Sequence, residues 1–139
     1  VKERGSVTFW GLGLTMMILL LGLLAVDLWR ILGWRRELTA LTDAASVAAA
    51  AGIDEAVWRA EGNVVLDPVL ARERAEFSLA AQPAASDIVA FSVVVAVDGS
   101  EVVVTASRLV EFGVLGLLSL QAEPELMTVT ATAEPRVSP

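Results

Sequence analysis

Ser6-Val-Thr-Phe-Trp-Gly-Leu-Gly-Leu-Thr-Met-Met-Ile-Leu-Leu-Leu-Gly-Leu-Leu-Ala-Val26 is the stretch whose reading decides the fold. It holds no charge over twenty-one residues. A bilayer core about 30 Å thick takes roughly 20 such residues as an α-helix. A secretory signal has a shorter apolar stretch, about 7–15 residues, closed by a small-residue cleavage site. Here the run is longer, and a charged segment containing tryptophan continues directly from it. The expectation is a transmembrane helix that stays with the protein, over residues 6–28. Residues 1–5, with Lys2, Glu3 and Arg4, read as an N-terminal stub or leader.

The helical signal continues past the membrane edge. Asp27-Leu-Trp-Arg30 and the residues to Arg36 contain no proline. Trp29 and Trp34 suit the headgroup region, where amphipathic rings settle. Asp27 and Arg30 stand three apart on one helix face and are expected to pair at the lipid–water boundary. From Glu37 the chain turns alanine-rich, and alanine is the strongest helix former. Leu38, Leu41, Ala45 and Ala48 recur at helical spacing as one stripe. Small residues such as Ala44, Ala45 and Ala48 allow close helix approach, to the chain's own sheet or to another copy. Gly52 is a place for the helix to end or bend, although Ile53 to Ala60 is helix-compatible. A helix from Ser6 to residue 60 would be roughly 80 Å long.

Gly62-Asn63 and Asp67-Pro68 mark a loop. Val69 to Gln82 reads as one additional helix, with Leu70, Arg74, Phe77 and Ala81 in helical spacing and Pro83 as its stop. The period then changes to two. From Ile88 onward, Val89, Phe91, Val93 and Val95 alternate with Ala90, Ser92, Val94 and Ala96, and after Asp98-Gly99 the alternation resumes at Val102, Val104 and Ala106. Asp-Gly between two such runs signals a hairpin. A two-residue turn there sets Val95 opposite Val102, Val93 opposite Val104 and Phe91 opposite Ala106. Leu126 to Arg136 reads as a third, half-buried strand, with Met127, Val129, Ala131 and Ala133 on one face. Pro135 marks its edge or its end. Phe112 to Leu120 is too short to span a membrane and reads as a helix or loop closing the core, or as a patch for a neighbour or lipid. The fold class is thus α+β: a long N-terminal helix, one additional helix and an antiparallel sheet of about three strands. In residues, the helical extension is 29–62, the loop and second helix 63–87, and the sheet domain 88–139.

Composition restricts the chemistry. The net charge is −7, against a nucleic-acid role, which needs clustered Lys and Arg. There is no cysteine, histidine or tyrosine, and Lys2 is the only lysine. Thiolate and imidazole metal sites, a Ser-His-Asp triad and a Schiff-base lysine in the globular part are excluded. Asp54, Glu55, Glu61, Asp67 and Asp87 fall among ordinary helix and turn signals, not in a paired-carboxylate pattern. The chain reads as non-enzymatic, with no cofactor and no metal.

One stretch is more specific than composition. Arg4-Gly5-Ser6-Val7 leads into the apolar run, Asp27-x-x-Arg30 closes it, Arg35-Arg36 follows, and then come Asp43-Ala44-Ala45 and the alanines to Gly52. Residues 4 to 52 resemble the N-terminal region of the TadE/TadG-like proteins of Tad (Flp) pilus assembly. In that family a Gly-led apolar helix is followed by an Asp-x-x-Arg element, further Arg and an Ala-Asp-Ala-Ala-like stretch. The resemblance implies a pilin-like architecture and a minor pilin or pseudopilin. It would sit in the bacterial inner membrane as a single-pass protein, with the sheet domain outside and some copies carried into a surface pilus. Partners would be other pilins or pilus assembly proteins, membrane lipid and further copies of itself, with Gly11, Gly13 and Gly22 at helix contacts. Gly5 and Ser6 would flank the processing site. Trp10 stands where the family's processed members carry a glutamate, which moves the resemblance toward the TadG-like members. The charge rule alone, with Lys2 and Arg4 before the run and Arg30, Arg35 and Arg36 after it, favours the globular part inside. The competing reading is an anchored envelope protein that binds a partner without polymerising.

Overall fold

Helix α1 runs from Arg4 to Ala50 without a proline to interrupt it. The computed structural model describes residues 4–114, 116 and 123–135, with side chains from residue 7 onward. Hydroxyls inside α1 are satisfied by the helix itself. Thr15, Thr39 and Thr42 donate to the carbonyls of Gly11, Arg35 and Leu38 at 2.9, 2.8 and 2.7 Å. Such back-bonding lets a polar side chain sit in an apolar helix with no outside partner.

The chain divides into two compact units, residues 1–33 with 111–124 and residues 34–110 with 125–139. In the second unit α1 stops at Ala50 and does not continue to residue 60. Gly52 lies so close to the next layer that a Cβ there would meet Ala71 N at 2.6 Å. Ile53 bridges Leu66, and Asp67 donates its backbone N–H to the Gly52 carbonyl at 2.9 Å. The chain then starts a separate helix, α2, Glu55–Glu61. Asp54 caps it, its carboxylate accepting from the N–H groups of Ala56 and Val57. Gly62 ends it in the left-handed region, at φ 73°.

Helix α3, Pro68–Ala80, is built the same way. Asp67 accepts from Val69 N at 2.8 Å, and Pro68 occupies the first turn, where a missing N–H costs nothing. The face it buries is Ala71 and Ala75. Phe77 belongs to the opposite face and is 78 % exposed. A 3₁₀ turn, Pro83–Asp87, leads into the sheet.

The sheet has three antiparallel strands in the order β1 (Ile88–Val95), β2 (Val102–Val110), β3 (Glu125–Ala133). Val95 pairs with Val102, Val93 with Val104 and Phe91 with Ala106, the register expected from the valine alternation. The turn is wider than two residues. Gly99 N–H donates to Ala96 O, Ala96 N–H donates to Glu101 O, and residues 97–100 form the loop. Asp98 opens it out by accepting from both the N–H and the hydroxyl of Ser100, at 3.1 and 2.7 Å. A bulge at Val89 shifts the start of β1 by one residue.

On the inner sheet face Val102 and Val104 are fully buried, with Phe91, Val93, Val95 and Ala133 half-buried beside them. They close over Ala45, Ala49 and Ala50 of α1, Leu66, and Ala71 and Ala75 of α3. Alanines on both helices let backbones approach closely while valines and Phe91 fill the remaining space. The outer face is a hydroxyl ladder. Ser107 and Thr128 are 2.9 Å apart and Thr105 and Thr130 3.3 Å, pairs that stabilise a solvated sheet face. β3 ends at Ala133, two residues before Pro135. Arg136, the stub 1–3, and residues 115 and 117–122 of the Phe112–Leu120 segment lie outside the described residues.

Candidate functional site

The surface with the strongest demand for a partner is α1 itself. Its most apolar 18-residue window has a mean hydropathy of 2.3, and none of that window is buried by the chain. By length and composition this helix can cross a membrane. Phe9, Trp10, Leu12, Met16 and Ile18 are all exposed. Gly11, Gly13 and Gly22 have open space where a Cβ would stand. Around Gly13 the missing side chain leaves a shallow groove lined by Phe9, Leu12, Met16 and Leu19. Among the described residues nothing requires glycine at these three places.

Asp27 breaks the pattern. It is 7 % exposed, although Val26 and Leu28 on either side of it are open. Its Oδ2 accepts the backbone N–H of Val114. Gly113 lies against the same carboxylate: a Cβ there would be 2.7 Å from Oδ1. Arg30, one turn further on, is exposed. The Gly113–Val114 contact is 87 residues away in the chain and had no sequence signal beyond a glycine beside an apolar run.

The second unit contains a charged clasp that sequence reasoning missed. Arg108 follows Val102, Val104 and Ala106 on the inner face of β2, and its side chain is only 14 % exposed. It donates to Glu37 on α1 at 3.0 Å and to Asp87 at 2.7 Å, and its guanidinium lies 5.5 Å from the Trp34 ring centre. One cation thus ties the first turns of α1 in this unit to the sheet and to the 3₁₀ turn. The available signal was a single arginine in a strand of Val, Thr, Ala, Ser and Leu.

The alanines divide between faces. Ala45 is fully buried in the core, Ala44 is exposed, and Ala48 is half-buried. Ala48 and Ala51 line a shallow groove with Leu70, Arg74 and Phe77 of α3. Among the described residues no group of three or more His, Cys, Asp or Glu is placed to hold a metal ion.

Residues 5–52 match the profile of the Tad family, Flp pilus-assembly TadE/G-like. The match covers α1 from its first turn to the break at Gly52, a little over a third of the chain. No curated protein and no solved structure gives a significant match. The helix that carries the exposed apolar surface, Asp27 and the alanine face is therefore the part of the chain that is similar to the TadE/G-like Flp pilus-assembly family.

Proposed function

We propose that this chain is a non-enzymatic, membrane-anchored subunit or assembly factor of a Tad/Flp-type pilus, a minor pilin or pseudopilin. One observation carries the reading: the family match includes the apolar window of α1, none of which is buried among the described residues. A helix exposed in this way is stable where lipid or other helices cover it. The sheet domain supplies contacts outside the bilayer, where burial of apolar surface contributes about 25 cal/mol per Å².

In this reading the anchor lies in the bacterial inner membrane with the sheet domain outside. Partners are other pilins or pilus assembly proteins, and Gly5-Ser6 is the processing site. Asp27 and Arg30 set the level of the helix at the boundary.

Mass spectrometry of the native N-terminus, in membrane and sheared-filament fractions, tests this. A chain beginning at Ser6 in filaments supports the minor pilin or pseudopilin. An unprocessed chain that stays in membranes and co-purifies with pilus components supports the assembly factor. Retention in membranes with no association to any pilus component overturns the reading in favour of a partner-binding envelope protein.

A further inference from the structure

The apolar helix is open on its flanks at Val26, Leu28 and Trp29, yet Asp27 between them is covered. What covers it is the connection between β2 and β3, through the Val114 N–H and the Gly113 backbone. Residues 111–124 form one compact unit with residues 1–33, while the strands on either side of them belong to the other unit. Between Glu111 and Glu123 the sequence carries no charge. An apolar run of that length is too short to span and is typical of interfacial segments.

A carboxylate at the end of an apolar helix needs donors if it is to remain buried. A backbone N–H entering a helical turn is such a donor, and a charged acceptor makes that bond stronger than a neutral one. The medium around the corner is fixed by its neighbours. Val26 and Leu28, on either side of Asp27, are exposed apolar side chains, and Phe112 and Val114, next to the bond on Asp27, are half-buried. Trp29, 73 % exposed, suits the headgroup boundary.

We propose that Asp27 is a positioning residue that latches the β2–β3 connection to the membrane helix, and that the Phe112–Val114 corner is a second contact with the lipid bilayer. The inference rests on the reading of α1 as a membrane helix. It gives the chain two attachments to one bilayer, the helix and the latched corner.

The chain has no cysteine, so single cysteines can be placed freely. The full chain, labelled with an environment-sensitive fluorophore at Leu19, Phe112 or Val97, is reconstituted in phosphatidylcholine–phosphatidylglycerol vesicles carrying nitroxide lipids. Leu19 should be quenched by deep nitroxides and Phe112 by shallow ones, each measured against Val97 on the other unit as the reference level. In Asp27→Ala, quenching at Phe112 should fall toward the Val97 level while Leu19 is unchanged. A lost charge-assisted bond shifts the docked-to-free ratio by about tenfold or more. Asp27→Asn keeps an acceptor oxygen and should retain part of the quenching. Gly113→Ala, which drives a Cβ into the carboxylate, should reproduce Asp27→Ala with Asp27 intact. Quenching at Leu19 but not at Phe112 overturns the inference and leaves the anchor standing. Quenching at Phe112 that survives both Asp27→Ala and Gly113→Ala overturns the latch. No quenching at Leu19 overturns the membrane reading and the inference with it.

Discussion

Arg108 on β2 and Glu37 on α1 are 71 residues apart in sequence and 3.0 Å apart in space. The bond joins the helical layer to the sheet on the inner face of β2, between Ala106 and Val110. Alanines on α1 and valines on β2 pack closely but slide easily, since apolar contact has no direction. A guanidinium with two carboxylates and an indole has a fixed geometry. The clasp therefore sets where along the helix the sheet sits, while the alanine–valine core supplies the area.

Arg108→Met should test that division. The arginine is largely buried, but Glu37 and Asp87 are about half exposed, so water takes over much of what they lose. A destabilisation of about 1–2 kcal/mol is expected, below the cost of breaking a fully buried pair. Urea unfolding in detergent, followed by sheet circular dichroism, reads it. Arg108→Lys should recover less than half, because an ammonium cannot fork to both acids and stack on Trp34. A loss under a few tenths of a kcal/mol for Arg108→Met would make the clasp ornamental.

Two glycines with the same backbone geometry should differ sharply. Gly62 and Gly99 have φ of 73° and 68°. A Cβ at Gly62 meets nothing, whereas one at Gly99 lies 2.3 Å from Val65 Cγ1 and 3.0 Å from Leu66 N. Leu66 also donates its N–H to the Gly99 carbonyl at 3.1 Å, so the strand loop and the α2–α3 loop are bonded at that point. Gly62→Ala should cost only the left-handed strain, about 1–2 kcal/mol. Gly99→Ala adds a steric clash, and its total should exceed the Gly62→Ala cost by about 1–3 kcal/mol. Equal costs for the two would show that the hairpin loop can move away from Val65 freely.

These residues also show what a sequence reveals. The hairpin register was legible because valine alternation and Asp98-Gly99 are local signals, and the inner face follows from them by parity. The caps Asp54 and Asp67 are local too. The end of α1 was legible at Gly52 only as one of two alternatives, because what closes it, Ala71 and Asp67, lies beyond the next loop. Phe77 is exposed although it is the largest side chain of α3. The face that α3 buries in the core is Ala71 and Ala75, and Phe77 projects from the other side. The Arg108 clasp and the Asp27–Val114 bond depend on chain crossings that no periodicity encodes.

Asp98 makes a pH-dependent contribution of defined sign. The Ser100 hydroxyl and then the Ser100 N–H hold its carboxyl below the ordinary value of 3.8. A folded-state pKa below the unfolded one gives stability that is present above the unfolded pKa and is lost as pH falls through the folded pKa. The loop should therefore loosen only below about pH 4, after ordinary carboxylates have begun to protonate. NMR titration of Asp98 should show the depressed midpoint, and Ser100→Ala should move it back up part of the way, leaving the backbone donor. A midpoint that does not respond to Ser100→Ala would assign the shift to something other than this turn.

Gly13 and Ala44 separate assembly from folding. Neither is part of the packed core: Gly13 has open space around its missing side chain, and Ala44 is exposed. Leucine at either place fills a surface that the chain itself leaves empty, so unfolding should change by less than about 0.5 kcal/mol. Ala45, one residue on, is fully buried, and Ala45→Leu should destabilise by about 1–3 kcal/mol through overpacking. Small residues on a membrane helix favour close helix approach, so Gly13→Leu should weaken association with pilin helices. A roughly tenfold loss, the ratio that ~1.4 kcal/mol corresponds to, should appear in cross-linking yield and in filament recovery. If Gly13→Leu and Ala44→Leu both assemble like the parent chain, helix packing through this face is not how the protein works. If Ala45→Leu alone fails, the defect is one of folding, and the lateral contacts belong to the sheet domain.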